Sequence, residues 1–230
     1  SGGNRYLAIT DVSSNLAPSI DNAYQFTNLP SSFWVLGFYY YNNKIYMGAL
    51  DSSTSPSTYY LVAFNYDGTN FSKLWELSFG GWYAVSMVKN DPNNTILVLY
   101  NNNTNKLNLF KLDETQLPSN INIIASGSIS NYSPNFPYLN VINVFPSLSS
   151  FLVPGNYSSN ALIQSFGYDL SYRCGPLGAA DNISFQTSNA IQVNTTSTSG
   201  LSFTTSNITL NPQNIQTTDY PLTIIDACAD

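Results

Sequence analysis

Apolar residues along this chain fall into short runs separated by polar punctuation. VLGFYYY, KIYMGAL, YYLVAFNY, KLWELSF, YAVSMV, TILVLY, LNLFKL, NINIIA, LNVINVF, SFLV and ALIQSFGY are aromatic or β-branched segments bounded by Asn, Asp, Ser, Gly or Pro. Such segments are the signature of strands joined by turns. Some alternate strictly, with Leu107, Leu109 and Lys111 on one side of a strand and Asn108 and Phe110 on the other. Others are apolar throughout. Helical periodicity is almost absent, and the pattern predicts an all-β protein.

The runs also repeat. YNNKIYMGALDSSTSPSTYYLVAFNYDGTNFSKLWELS is answered by PNNTILVLYNNNTNKLNLFKLDETQLPSNINIIAS, and more loosely by LSSFLVPGNYSSNALIQSFGYDLSYR. Each reads turn, strand, polar loop, strand, acidic turn, with a fourth strand evident in the first two. Asn42, Asn93 and Ser149 open the three copies, and Asp67, Asp113 and Asp169 occupy the acidic turn. RYLAITDVSSNLAPSIDNAYQF reads as the second half of such a unit, with Asp11 in its turn. These are antiparallel β-meanders. Leu61, Phe64, Asp67, Gly68, Leu74, Trp75 and Leu77 resemble the third and fourth strands of secreted β-propeller repeats. That resemblance implies blades of four strands around a channel, with NISFQTSNAIQVN available to complete the leftover half-unit. One or two β-sandwiches would satisfy the same pattern. Three segments follow: 1–30 as an N-terminal strand and candidate assembly arm, 31–176 as the meander domain, and 177–230 as a Thr/Ser-rich C-terminal β segment. In that last segment, 181–218 reads as a thin sheet, an extended arm or an exposed strand awaiting a partner.

Composition changes what the surface must be. Of the 230 residues only 9% are charged, against about 25% in ordinary soluble domains. Solubility therefore falls to Asn, Ser, Thr, Gln and Tyr. Amides and hydroxyls do not titrate, so such a surface gains little self-repulsion when its carboxylates are protonated. This suits a secreted protein in acid or variable conditions; glycan shielding or lineage bias accounts for it equally well. A pI of 4.3 and seven scattered basic residues leave no stripe for phosphates, so nucleic acid is not an expected partner. No run approaches the roughly 20 apolar residues of a membrane helix. With Ser1-Gly2-Gly3 at the start, an upstream signal or larger precursor is expected to have been removed.

The two cysteines, Cys174 and Cys228, would pair in an oxidising compartment. They would close a loop of about 55 residues, worth about 4 kcal/mol on the chain-entropy estimate, and tie the C-terminal segment back. Free buried thiols are the alternative. Eight Asn-X-Ser/Thr sequons occur, at Asn70, Asn93, Asn102, Asn131, Asn156, Asn182, Asn194 and Asn207, where about six would arise by chance in a chain so rich in Asn, Ser and Thr. Asn70, Asn93, Asn102 and Asn156 sit in segments that read as turns, where a glycan could project.

The absence of histidine removes the usual Ser-His and Cys-His triads. Carboxylate chemistry survives that exclusion. Asp51-Ser52-Ser53 is a weak likeness of the Asp-Thr/Ser-Gly turn of aspartic proteases and reads as an Asp-capped loop, while Asp113-Glu114 and Asp219 with Asp226 read as solvated loop acids. Neither a calcium-loop spacing nor a phosphate-cradling glycine loop occurs, so no cofactor or metal is expected. Trp34, Tyr39, Tyr41, Tyr59 and Trp82 form a candidate aromatic patch for stacking on sugars or docking a subunit. Tyr39 and Tyr40 must point to opposite faces of a strand, so at least half of such rings belong to the core.

In composition the whole chain resembles surface-layer, thread or pilus-type glycoproteins of thermoacidophilic archaea. The resemblance implies a non-enzymatic extracellular subunit that self-associates or joins other surface proteins. Donor-strand addition is the favoured mechanism, with Tyr6, Leu7, Ile9 and Val12 of RYLAITDV, or YPLTIIDA near the C-terminus, as assembly strands. On that reading Leu7→Asp blocks assembly and spares the fold. A propeller-like adhesion or carbohydrate-binding module with a glycan ligand is the alternative, and an acid hydrolase a third.

Overall fold

The computed structural model describes residues 5–11, 19–27, 29, 32–68, 70–81, 83–132, 150–157 and 160–196. The chain is all-β. Its strands are β1 (Arg5–Asp11), β2 (Ser19–Thr27), β3 (Phe33–Tyr41), β4 (Lys44–Asp51), β5 (Thr58–Tyr66), β6 (Phe71–Gly80) and β7 (Tyr83–Asp91). After them come β8 (Asn94–Asn101), β9 (Lys106–Asp113), β10 (Asn122–Ser130), β11 (Ser150–Tyr157), β12 (Asn160–Gly167), β13 (Gln186–Thr187) and β14 (Gln192–Thr196). Among the described residues one 3-10 turn, Glu114–Gln116, sits between β9 and β10.

They form four antiparallel sheets. Sheet I runs β1-β2-β14, sheet II β13-β6-β5-β4-β3, sheet III β10-β9-β8-β7 and sheet IV β11-β12. Sheets II and III are each a four-strand meander, so the two longest repeats read in the sequence are two equivalent sheets.

The turns explain the recurrence of Asn and Asp. Asn42 and Asn43 lie at φ 49° and 59° between the paired residues Tyr41 and Lys44, as a two-residue hairpin that follows the strand twist requires. Asp51, Asp91, Asp113 and Asp169 each accept the backbone N–H two residues on, at 2.9, 2.7, 2.9 and 2.9 Å. Each aspartate closes its own turn in this way. Asp51 therefore is the cap of its loop.

The sheets stack face to face in chain order. Tyr24 and Phe26 of β2 pack with Met47, Val62 and Phe64 between sheets I and II. Tyr46, Leu61, Leu77, Leu97, Leu99 and Phe110 fill the seam between II and III, and Ile96, Val98, Leu109, Phe151, Val153 and Phe166 that between III and IV. Leu61 and Ala63 thus face one neighbour while Val62 and Phe64 face the other, and Leu97 and Leu99 alternate with Ile96 and Val98 in the same way. A strand sandwiched on both faces must be apolar at every position. That requirement is why YYLVAFNY and TILVLY do not alternate.

After sheet IV the chain returns as a strap over the sheet edges. Gly178 exchanges two 2.9 Å backbone hydrogen bonds with Ser128 of β10, β13 pairs with β6 and β14 with β2. The strap therefore covers the last strands of sheets III, II and I in reverse chain order. Residues up to 196 are accordingly not an exposed strand awaiting a partner. NISFQTSNAIQVN divides between two sheets, and its end does join the N-terminal half-unit, on the β2 side. The N-terminal segment is also no free arm. Tyr6, Leu7 and Ile9 lie in β1 opposite Gln25, Tyr24 and Asn22, and Leu7 packs against the seam between sheets I and II. Leu7→Asp would therefore damage the fold. Val12 and YPLTIIDA lie outside the described residues.

Candidate functional site

Three features stand out: an ionic knot between sheets II and III, the clamps of the strap, and an uncovered aromatic edge.

The knot centres on Glu114. The 3-10 turn capped by Asp113 carries the Glu114 side chain inward, where only 3% of it is exposed. Its Oε1 accepts from Lys89 Nζ at 2.5 Å and from the Thr95 hydroxyl. Its Oε2 accepts from Tyr46 at 3.0 Å and Lys44 at 3.3 Å. Lys89, wholly buried, also lies 5.0 Å from the Tyr46 ring and 5.7 Å from that of Tyr41. Burial lowers the Lys89 pKa, and the charge and hydrogen bond of Glu114 oppose that shift. Burial first, and then the Glu114 charge, raise the Tyr46 pKa. Two lysines on one carboxylate, held between four strands and a turn, make a seam lock. The turn position of Asp113-Glu114 suggested two solvated acids, but the structure exposes only Asp113, because capping spends that side chain on the turn and turns the next one inward.

The strap has two clamps of the same kind. Asp181 accepts from Asn101 Nδ2 at 2.7 Å, Thr104 Oγ1 at 2.9 Å and Asn108 Nδ2 at 3.1 Å, with Lys106 Nζ at 3.4 Å. Burial would raise its pKa, but those donors together hold it below the usual carboxylate range. Glu76, whose side chain is wholly buried, accepts from Lys73 Nζ at 2.9 Å and from the backbone N–H groups of Ala190 and Ile191 at 2.8 and 3.1 Å. Both glutamates of the chain are therefore internal, and four of its five lysines are paired within it. The fifth, Lys111, donates to the Tyr168 carbonyl at 3.1 Å. The lysines and glutamates hold sheets and strap together, and the neutral polar residues make up most of the surface.

The candidate aromatic patch divides. Tyr59 is core, stacked on Phe79 at 5.5 Å. Tyr39 and Tyr41 pack partly buried against the seam between sheets II and III, with the Tyr39 hydroxyl on the Lys89 carbonyl at 3.2 Å. Trp34 is 58% exposed, and Trp82 lies outside the described residues. Two other exposed rings share β3 with Trp34: Phe38 at 47% and Tyr40 at 61%. They pair with Met47 and Ile45, so they belong to the face that sheet I covers elsewhere. Alternation along β3 made Tyr40 recognisable as the partner of opposite orientation to Tyr39; nothing in the sequence said that sheet I stops short of it.

Among the sequons, Asn70, Asn93 and Asn102 are exposed in turns, and Asn131, Asn182 and Asn194 are exposed as well. Asn156 lies inside β11 opposite Ala161 rather than in a turn, and Asn207 is outside the described residues. Cys174 is not a free thiol, whereas Cys228, its expected partner, is outside the described residues. Asp219 and Asp226 are too. Among the described residues no three His, Cys, Asp or Glu side chains converge as a metal site, and no helix is long and apolar enough to cross a membrane. No protein-family model, curated protein or solved structure matches the chain.

Proposed function

We infer that this protein is a non-enzymatic structural glycoprotein, a subunit of an extracellular surface assembly built through strand-edge contacts. The observation that carries this reading is the uncovered edge of the stack. β14 lies against β6, and Tyr24 and Phe26 of β2 meet Phe71 of β6 and Phe64 of β5, so sheet I steps across sheet II strand by strand. Among the described residues it ends at β1, leaving Phe38 and Tyr40 of β3 without a cover. A strand added to β1 would supply backbone hydrogen bonds and a roof for both rings together, the combination used in strand addition. β1 is then the acceptor edge, not the donated strand. Of the other edges, those at β2, β6 and β10 are occupied by the strap, whereas β3 and β7 end sheets II and III on the opposite side. Internal use of the charges and exposed sequons support an extracellular, glycan-bearing surface.

The face-to-face stacking of repeated meanders, with β7 close to β3 and β4, favours a propeller-like arrangement over a sandwich. It also sustains a second reading, an adhesion module that stacks sugars on Phe38 and Tyr40. Electron microscopy and sizing of native material at neutral and acid pH separate the two. Regular polymers that Phe38→Ser with Tyr40→Ser shortens or abolishes, at little cost to the monomer's stability, support the subunit. A monomer at every concentration overturns it, and glycan binding lost in the same variant establishes the module.

A further inference from the structure

Lys73, Glu76 and Asn189 bring an amine, a buried carboxylate and a carboxamide together where the strap crosses sheet II. Lys73 Nζ stands 2.5 Å from Asn189 Oδ1, 2.9 Å from Glu76 Oε2 and 2.6 Å from the Ile191 carbonyl. The contacts to Asn189 and Ile191 are both below the usual range for such a hydrogen bond. Glu76 is wholly buried and fixed by two backbone N–H groups. Because Oδ1 faces the amine, Asn189 Nδ2 points away from it, and it has no hydrogen-bond partner among the described residues. Asn189 itself is exposed, so a departing group has a path to water.

We propose that Lys73 and Asn189 form an isopeptide bond that fastens the strap to β6. Glu76 takes a proton from the Nζ ammonium, and the freed lone pair attacks Asn189 Cγ. As the Nζ–Cγ bond forms, a second Nζ proton passes by way of Glu76 to Nδ2, and the Cγ–Nδ2 bond breaks. Ammonia leaves, the proton that Glu76 took first passes to it through water to make ammonium, and Glu76 ends as the carboxylate it began as. An ammonium and a carboxamide become a secondary amide and an ammonium ion, with no oxidant or reductant. Holding both reactants in contact supplies the effective concentration such a condensation needs. The product joins residues far apart in sequence, β6 to the strap between β13 and β14, and it persists where acid would weaken an ion pair.

The test is mass spectrometry of the full chain, intact and after digestion. The expected result is a mass lower by one ammonia, about 17 Da, with a branched peptide joining Lys73 to Asn189. Asn189→Ser, a change at an exposed position, should restore the full mass, as should Lys73→Arg. Glu76→Gln should leave a folded chain with the two residues unlinked. Separate, unmodified Lys73 and Asn189 peptides from folded wild-type protein would overturn the proposal. So would a loss of ammonia that maps to a cyclised Asn189 with Lys73 still free to react with an amine-directed reagent.

Discussion

Removing the Glu114 carboxylate tests the seam lock most directly. In Glu114→Ala, Lys89 keeps a wholly buried ammonium without its counter-charge, and the Tyr46 and Thr95 hydroxyls lose their acceptor. Lys44, 27% exposed at its side chain, can turn to water and adds little. Deleting one partner of a buried pair costs about 3–5 kcal/mol. The orphaned hydroxyls share one cavity with the lysine, so their penalties do not add in full. At roughly 2–4 °C per kcal/mol for a chain of this size, Tm should fall by about 6–20 °C. The deficit should also depend on pH. Burial disfavours charged Lys89, and Glu114 is the leading influence that holds its pKa up. Without Glu114 the folded pKa drops further. A lysine whose folded pKa lies below its unfolded value destabilises the fold below the folded pKa, and that cost lifts as pH rises toward the ordinary lysine range. Denaturant unfolding from about pH 6 to about pH 9.5, followed by tryptophan fluorescence, should show the gap between variant and wild type narrowing with pH. A loss below about 1 kcal/mol, or a gap indifferent to pH, would show that the lysine does not depend on this carboxylate.

Two further predictions concern the strap. A Cβ at Gly127 would lie 2.5 and 2.6 Å from Leu177 Cδ1 and Cβ, so Gly127→Val should cost about 1–3 kcal/mol and speed proteolysis at 177–185; unchanged protection would mean Leu177 is not held there. Asp181 has a lowered folded pKa, so its contribution is full above the ordinary carboxylate value and is lost as pH falls through the folded one. Asp181→Asn should therefore cost about 1–2 kcal/mol near pH 6 and progressively less in stronger acid; an equal loss at all pH values would locate its effect in packing.

Much of the architecture is legible in the chain itself. Period-two and all-apolar runs require strands, Asn42-Asn43 requires a tight hairpin, and the recurring aspartates close turns through their own backbone. Each is a local interaction, settled within a few residues, so the meanders and their repeat follow from the sequence alone. Even the doubly buried strands were implied by YYLVAFNY and TILVLY, since only stacking on both faces tolerates such runs.

What the sequence could not place were contacts between residues far apart along it. Glu114 looks like any loop acid until Lys44 and Lys89 arrive from another sheet. Lys73 meets Asn189 only because the strap doubles back along the edges, and Phe38 and Tyr40 are exposed only because sheet I ends before reaching them. Local pattern determines which face of a strand is apolar. Which partner covers that face, or leaves it open, depends on how whole sheets stack, and that is decided by tertiary packing over distances no short window of sequence contains.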